Sequence, residues 1–209
     1  MPLQSRPRSF RFLLPQMPHE IHHGRVGPTA ILQVASVLQD TQGLPGLRLI
    51  FERAGLLTYV ERPPTAMVEQ GEASRLFDAL RLQLGHPNSD RILAEAGRRT
   101  AQYIIANRIP SAARRLISAL PVGLGSRLLL IAIHKHAWTF AGSGKVRKGL
   151  RRRLWLSIEA NPLATPGCPW HKAVLQELFA ALVSPYVRVL HDECCAEGES
   201  ACMFRIEVR

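Results

Sequence analysis

The hydrophobic period of the chain changes after residue 140, and this change limits the folds that it can adopt. Up to that point, apolar residues recur every three or four positions, as in amphipathic α-helices. After residue 153 they alternate with polar residues, as in strands that bury one face. Helices followed by paired strands are typical of the α+β class. We therefore predict a helical N-terminal two-thirds packed on a C-terminal antiparallel sheet of about four strands.

Caps and helix breakers set the predicted boundaries of these elements. Helices are expected over residues 29–43, 44–54, 67–84, 90–108, 111–120, 125–140 and 171–183. The N-cap of the fourth of these helices would come from Asn88, Ser89 or Asp90. Strands are expected over residues 153–159, 187–192 and 202–209, with a further strand around 139–147.

The first 27 residues show neither period and are rich in Pro, Arg and His. We predict a flexible basic arm over residues 1–27 and a single domain over residues 28–209. Pro7, Pro15 and Pro18 interrupt the short apolar stretch of the arm, so it does not resemble a secretory signal. No apolar run reaches the length of about 18 residues that spans a bilayer. We therefore expect a cytoplasmic protein without a transmembrane segment.

The composition is that of a globular protein with a strong basic excess. Hydrophobic residues make up 46% of the chain and charged residues 21%, which excludes global disorder. The formal net charge is +11, and residues 145–153 carry six basic residues and no acidic one. This segment fits a solvated surface, or a peripheral contact with anionic lipid headgroups or an acidic partner enzyme. We find no helix-turn-helix or RNA-binding motif and expect no nucleic acid as a partner.

All four cysteines lie in the last 42 residues, which favours a metal site over disulfides in a cytosolic chain. Cys194 ends one predicted strand and Cys202 opens the next, so a hairpin would bring their thiols together. His191 precedes Cys194 by three residues, and Cys168 lies in a stiff Pro-Gly-Cys-Pro loop. Three thiolates and one imidazole would form a closed, structural zinc site. Cys195 is expected to point away from it.

Two other interpretations of the cysteines remain open. They can be ordinary buried residues, because cysteine packs as a small apolar side chain. They can also hold an iron–sulfur cluster, although the adjacent Cys194 and Cys195 are poor co-ligands.

Parts of the sequence resemble the bacteriochlorophyll 4-vinyl reductase family. They are residues 24–33 (GRVGPTAILQ), residues 140–144 (FAGSG) and the ending Cys194-x7-Cys202-x-Phe204-x-Ile206. The ending also resembles the ligand-binding domains of phenol-sensing transcription activators, which bind zinc through a loop cysteine and a downstream cluster. The positions of this chain that match those zinc ligands are Cys168, His191, Cys194 and Cys202. His191 stands where the sensors have a glutamate.

The family resemblance implies an α+β small-molecule-binding fold related to transport-particle subunits, and a homodimer. It also implies that the protein binds a vinyl-bearing porphyrin, Mg-porphyrin or protochlorophyllide in bacteriochlorophyll synthesis. The protein would present this pigment to pathway enzymes, such as magnesium chelatase or the following methyltransferase. Two alternatives are an 8-vinyl (4-vinyl) reductase with an external electron donor and a ligand-sensing regulatory module.

The sequence contains no motif for a redox cofactor that would support a reductase. Residues 123–128 (GLGSRL) lack the third glycine of a dinucleotide fingerprint, and they follow Pro121 rather than a strand. Residues 142–145 (GSGK) are followed by Val146 in place of the Ser or Thr of a phosphate loop. We therefore expect no bound nucleotide and assign no catalytic residue.

A carrier of a flat macrocycle needs an apolar slot with basic groups at its rim. We expect this slot in the interior, with Arg127, His134 and Trp138 along one helix face. His134 would approach a ring metal or hydrogen-bond an edge group, and Trp138 would cover a ring face, although a core histidine bonded to a backbone carbonyl is the interpretation of His134 that we favour. Arg99 and Tyr103 share an inward helix stripe. Without an acidic neighbour, Arg99 would attract a ligand carboxylate, or it would extend to solvent.

Overall fold

The computed structural model describes residues 24–208 of the chain, and the fold consists of the elements within this range. The helices are α1 (Thr29–Arg53), α2 (Thr58–Glu61), α3 (Gln70–Asn107), α4 (Ser111–Ala119), α5 (Val122–Lys135), α6 (Trp138–Ala141) and α7 (Pro169–Leu182). The strands are β1 (Arg25–Val26), β2 (Val68–Glu69), β3 (Lys145–Gly149), β4 (Leu154–Glu159), β5 (Arg188–Glu193) and β6 (Ala201–Glu207). The predicted α+β class is confirmed.

Strands β3 to β6 form one antiparallel sheet in the order β3-β4-β6-β5. In β4, Leu154, Leu156 and Ile158 are buried, and in β6 Cys202 and Phe204 are buried. Every second residue of both strands therefore faces the same interior, as the alternation in the sequence predicts. Helix α7 connects β4 to β5 and packs against β5.

Helices α1 and α3 each contain one break, and both breaks have the sequence Gly-x-Pro. Gly43 and Gly85 have φ angles of 68° and 70°, which only glycine adopts readily. Pro45 and Pro87 then fall in the first turn of the next helical segment, where a missing N–H costs no helical hydrogen bond. The prediction of two helical segments at each of these places is confirmed.

Three predicted boundaries are wrong for local reasons. The strand expected around residues 139–147 begins only at Lys145, because residues 138–141 form α6. The helix expected over residues 125–140 ends at Lys135, where the next backbone N–H groups form tighter turns. The helix expected to be capped by residues 88–90 begins directly after Gly85, so Ser89 lies inside it. The Ser89 hydroxyl donates to the Gly85 carbonyl at 2.7 Å.

The helical part meets the C-terminal part where α3 packs against α7. Trp170 of α7 is buried against Phe77 of α3, with ring centroids 5.9 Å apart. A Cβ atom at Gly97 of α3 would overlap the carbonyl oxygen of Trp170 and lie 3.0 Å from the Cβ of Ala173. The absence of a side chain at Gly97 therefore sets how closely the two helices approach.

Most of the predicted arm lies outside the described residues, which begin at Gly24. At its end, Arg25 and Val26 form β1, which pairs antiparallel with β2. Val26 is fully buried, and the Arg25 Nε donates to Glu69 Oε1 at 2.9 Å. The division into an arm over residues 1–27 and one domain over residues 28–209 stays a prediction.

We predict that Gly97→Ala lowers the free energy of unfolding by about 1–3 kcal/mol, because the added methyl group overpacks the contact of α3 with α7. The matched control is Gly123→Ala in α5, where a Cβ atom would have no neighbour within 4 Å. The control should be neutral or stabilising by up to about 1 kcal/mol. Urea denaturation measures both changes, and equal effects of the two substitutions would contradict the close approach at Gly97.

Candidate metal centre

Four side chains from separate segments of the C-terminal part meet at one point. They are Cys168 at the start of α7, His191 of β5, Cys194 directly after β5 and Cys202 of β6. One ligand atom of each lies within 4.8 Å of all the others. The three cysteines are buried and His191 is half-buried. The structure thus brings together the four residues that the sequence predicts as metal ligands.

A bulge in β5 decides which way His191 faces. In a regular strand, residues three positions apart such as His191 and Cys194 point to opposite faces. In this protein the pairing of β5 with β6 shifts between His191 and Glu193, so that β5 has one extra residue at Asp192. The extra residue resets the alternation. It brings His191 to the side of the sheet on which Cys194 and Cys202 lie.

Two consecutive left-handed residues turn the chain at the start of α7. Gly167 has a φ of 73° and Cys168 a φ of 42°. A left-handed residue other than glycine costs on the order of 1 kcal/mol and needs support from its surroundings. That support comes from the backbone N–H of Cys168, which donates to the Thr165 carbonyl at 2.7 Å. The turn holds the Cys168 thiol against the hairpin of β5 and β6.

The sulfur of Cys202 accepts hydrogen bonds from several donors. The Cys168 thiol donates to it at 3.4 Å and the Asn161 amide at 3.3 Å. The backbone N–H of Cys195 donates to it at 3.4 Å. The pKa of Cys202 is lowered to about 3, first by the hydrogen bond from Cys168. The pKa of Cys168 is raised, first by its hydrogen bond to Cys202. The lowered pKa of Cys202 favours the thiolate, which is the form that binds metals.

The distances within the group fit a tetrahedral ion with sulfur ligands. The Cys168 Sγ lies 3.7 Å from the Cys194 Sγ and 3.4 Å from the Cys202 Sγ. Zinc–sulfur bonds of about 2.3 Å place two sulfur ligands about 3.8 Å apart in a tetrahedron. The Nε2 atom of His191 is buried and has no hydrogen-bond partner among the described residues, which suits a metal ligand. This group could hold a metal ion.

Asn161 supports the group, and the sequence analysis missed it. It is buried, and besides its hydrogen bond to Cys202 its Oδ1 accepts the backbone N–H of Leu163 at 3.1 Å. The only signal in the sequence is the dipeptide Asn-Pro at residues 161–162, which is typical of a turn. A turn signal cannot indicate that the amide faces a sulfur atom 41 positions away.

The layer beneath the group is filled by aromatic side chains around His171. The His171 ring lies 4.9 Å from the Trp170 ring and 6.1 Å from the Phe204 ring. Its Nε2 lies 3.2 Å from the Phe140 carbonyl oxygen, and burial lowers the pKa of His171 to about 4. His171 is therefore a neutral core residue. The layer between α7 and the sheet, where an interior slot could be expected, is occupied by these rings.

The prediction that Arg99 has no acidic neighbour is wrong. Its Nε donates to Glu95 Oε1 at 2.7 Å and its Nη1 to Asp40 Oδ2 at 2.6 Å. Glu95 lies one turn earlier on α3, and Asp40 comes from α1, which the sequence could not bring next to it. The charge of Arg99 is thus already compensated by the protein. Tyr103, one turn further along α3, is 37% exposed.

The other predicted ligand residues lie on α5 and α6. His134 is half-buried in the last turn of α5, and Trp138 begins α6. The two residues lie on different helices, so the assumption that they stack along one helix face is wrong. Arg127 lies on the exposed side of α5, where it lines a surface cleft of about 430 Å³. The ligand-binding role of these residues stays a prediction.

Two relatives with the same name cover most of the chain. The bacteriochlorophyll synthase 23 kDa chain of Cereibacter sphaeroides is 46% identical over 191 residues, which are 87% of this chain and 90% of the relative. The protein of that name from Rhodobacter capsulatus is 39% identical over 185 residues, or 86% and 85% of the two chains. This chain belongs to the family of bacteriochlorophyll synthase 23 kDa chains. The resemblance to the bacteriochlorophyll 4-vinyl reductase family is thereby confirmed. No protein-family model matches the sequence.

The fold of this family member is similar to that of H-NOX domains. An H-NOX protein from S. oneidensis in the Fe(II)NO ligation state superposes with a TM-score of 0.53 at 11% identity, over 88% of this chain and 99% of that chain. A mutant of an H-NOX protein from S. oneidensis in the Fe(II) ligation state superposes with a TM-score of 0.52 at 11% identity, over 88% and 96% of the two chains. At this identity the likeness concerns the fold alone. The implied relation to transport-particle subunits stays a prediction.

No helix within residues 24–208 is both long and apolar enough to cross a membrane.

We predict that Asn161→Ala lowers the free energy of unfolding by about 1–3 kcal/mol, because it leaves the buried N–H of Leu163 unpaired and removes a donor to the Cys202 sulfur. The control is Asn107→Ala, whose exposed amide donates to the Tyr103 carbonyl at 2.9 Å. The control should change the stability by less than about 0.5 kcal/mol. Urea denaturation compares the two, and an equal loss in both variants would show that Asn161 has no special place beside the sulfur group.

Proposed function

We propose that Cys168, His191, Cys194 and Cys202 bind one structural zinc ion. Three thiols and one imidazole match a common ligand set of structural zinc, and their mutual distances suit a tetrahedron. Zinc would join the loop before α7 to the hairpin of β5 and β6. With four protein ligands no position would remain for water, so the site would stabilise the fold and take no part in chemistry.

The zinc site predicts one zinc ion per chain in metal analysis of the purified protein. Serine in place of Cys168, Cys194 or Cys202 should abolish the stoichiometric zinc. Cys195→Ser is the control and should retain it, because the Cys195 thiol lies against the Ile158 carbonyl, at 3.8 Å, and outside the group. Metal binding and folding are coupled in such sites, so the three variants should melt at least about 10 °C below the control. Zinc-free protein with four reactive thiols would overturn the proposal.

We propose that the protein binds a vinyl-bearing porphyrin, Mg-porphyrin or protochlorophyllide and presents it to enzymes of bacteriochlorophyll synthesis. The observation that carries this proposal is the 46% identity to a protein named bacteriochlorophyll synthase 23 kDa chain. The absence of a dinucleotide fingerprint or a phosphate loop in the sequence favours binding over hydride transfer. A closed zinc site supplies no redox chemistry of its own.

The same proposal includes the partners that the family resemblance implies. The receiving enzymes would be magnesium chelatase or the following methyltransferase, and the protein would act as a homodimer in the cytoplasm or at the membrane surface. The basic surface of the chain supports an encounter with an acidic enzyme or with anionic lipids, because opposite charges accelerate association.

Absorption spectroscopy distinguishes a carrier from a reductase. We expect divinyl protochlorophyllide mixed with the purified protein to give a shifted spectrum that stays unchanged after NADPH is added. Conversion to the monovinyl product, with NADPH or with a protein electron donor, would instead assign the reductase. An unshifted spectrum and an unchanged pigment would contradict both functions.

A further inference from the structure

The positive charge of the protein comes from one continuous stretch of sequence. Residues 96–158, between Glu95 and Glu159, contain 13 Lys and Arg residues and no Asp or Glu. The rest of the chain holds 14 basic and 16 acidic residues, so the net charge of +11 arises entirely from this stretch. It runs from the end of α3 through α5 to β4. In the fold, Arg98 and Arg99 of this stretch pair with Glu95, and Arg147 pairs with Glu159, so that only the other basic residues of the stretch can attract anions strongly.

The structure concentrates part of this charge around one cleft, which we call the arginine cleft. Its volume is about 430 Å³, within the range of about 300–1,000 Å³ that is usual for small-molecule sites. Five arginines from three segments line it: Arg127 of α5, Arg151, Arg152 and Arg153 of the loop between β3 and β4, and Arg205 of β6. Leu154 and Ile206, which are register partners in β4 and β6, also line the cleft but are only 7% and 3% exposed, whereas Val208 presents an apolar side chain there that is 37% exposed.

The cleft also contains one carboxylate, that of Glu207, and Arg205 engages it together with the carboxylate of Asp192. Arg205 donates to Asp192 Oδ2 at 2.8 Å and to Glu207 Oε1 at 2.5 Å. The Arg127 Nε donates to the Leu150 carbonyl at 3.2 Å, and this bond fixes the start of the loop between β3 and β4 against α5. This contact leaves the charge of Arg127 uncompensated, because a carbonyl carries no formal charge.

The three arginines of the loop have no such close partners. Arg151, Arg152 and Arg153 make no hydrogen bond or ion pair within residues 24–208, and all three are exposed. Arg153 helps to lower the pKa of Asp192 only through its charge, after the larger effect of Arg205. Like charges held side by side repel each other, and an anion that binds between them relieves this repulsion. Guanidinium groups bind carboxylates through paired hydrogen bonds, so several of them around a cleft suit a ligand with more than one carboxylate.

We propose that the arginine cleft binds the carboxylate groups of an apolar dicarboxylate, namely the two propionate side chains of a porphyrin or Mg-porphyrin, rather than the single free carboxylate of protochlorophyllide. This inference rests on the proposed function and adds the position of the pigment. The arginines neutralise the two acid groups, and the exposed side chain of Val208 contacts the apolar edge of the ring. The body of the ring then extends from the open cleft. Aromatic rings fill the layer between α7 and the sheet, so a pigment would not fit there. A position at the surface agrees with this packing.

The test compares two variants with the same change in net charge. Arg151→Gln with Arg152→Gln removes two loop arginines, and Arg62→Gln with Arg91→Gln removes two exposed arginines on other elements. Fluorescence titration with Mg-protoporphyrin IX, a dicarboxylate, gives the Kd of each protein. We expect the first variant to bind about 10- to 100-fold more weakly than the unchanged protein, and the second to bind within about twofold. Equal weakening of both variants would reduce the effect to net charge and overturn the inference.

A second ligand separates recognition of carboxylates from contact with the ring. The dimethyl ester of Mg-protoporphyrin IX has the same ring and no free carboxylate. We expect it to bind to the unchanged protein as weakly as the acid binds to the Arg151→Gln/Arg152→Gln variant. We also expect no further loss for the ester in that variant. Equal affinity for acid and ester in the unchanged protein would overturn the inference, although it would leave pigment binding intact.

The remaining outcomes separate this inference from the proposed function and from lipid binding. If neither the acid nor the ester binds to the unchanged protein, the proposed function fails and the inference fails with it. Vesicles of phosphatidylglycerol supply the other source of anionic groups. If they bind to the unchanged protein and not to the Arg151→Gln/Arg152→Gln variant, while both proteins bind the porphyrin equally, the arginines recognise lipid headgroups and the inference is wrong.

Discussion

The C-terminal half of the structure depends on the sulfur atom of Cys202. The side chains of Cys168 and Asn161 and the backbone N–H of Cys195 donate hydrogen bonds to this one atom, which lies near the start of β6. Negative charge on a buried sulfur is costly unless several donors compensate it, and here they come from the loop before α7 and from the turn after β5. The same convergence of donors leaves the three thiols and the imidazole at distances suited to a tetrahedral ion. Local hydrogen bonding and the proposed zinc site therefore have one physical origin.

Much of this group could be predicted from the sequence because strand alternation is a strong signal. Cys194 and Cys202 end and begin two predicted strands, so a hairpin alone brings their thiols together. The position of His191 could not be derived in that way. A regular strand would point it away from Cys194, and only the bulge at Asp192 reverses this direction. Bulges have no reliable signature in a single sequence. The prediction of His191 as a ligand was therefore right, but strand geometry alone did not justify it.

The errors in the ligand residues have a different cause, namely partners that are distant in the sequence. Arg99 is compensated in part by Asp40, which is 59 positions away on a neighbouring helix that the sequence of α3 cannot reveal. Its other partner, Glu95, lies four residues earlier on α3, so this pair could have been predicted from the i,i+4 spacing. The stack of His134 on Trp138 assumed one helix through residue 140, whereas α5 ends at Lys135. Periodicity predicts which residues point inward. It does not predict where a helix unwinds, because tight turns continue the same apolar spacing for a few residues.

Strand β6 physically connects the proposed zinc site to the arginine cleft. Cys202 lies near its beginning, and Arg205 and Ile206 lie near its end, three and four residues further on. The register of β6 against β5 decides whether Arg205 reaches Asp192. While Arg205 engages this carboxylate, Asp192 is not available to compensate the charge of the arginines in the loop between β3 and β4. A slip by one residue would turn Arg205 inward and Ile206 outward. By fixing Cys202 relative to β5 and the loop before α7, zinc would hold this register. The zinc ion would thereby help the arginine cleft to bind its ligand, although the zinc ion and that ligand would not be in contact.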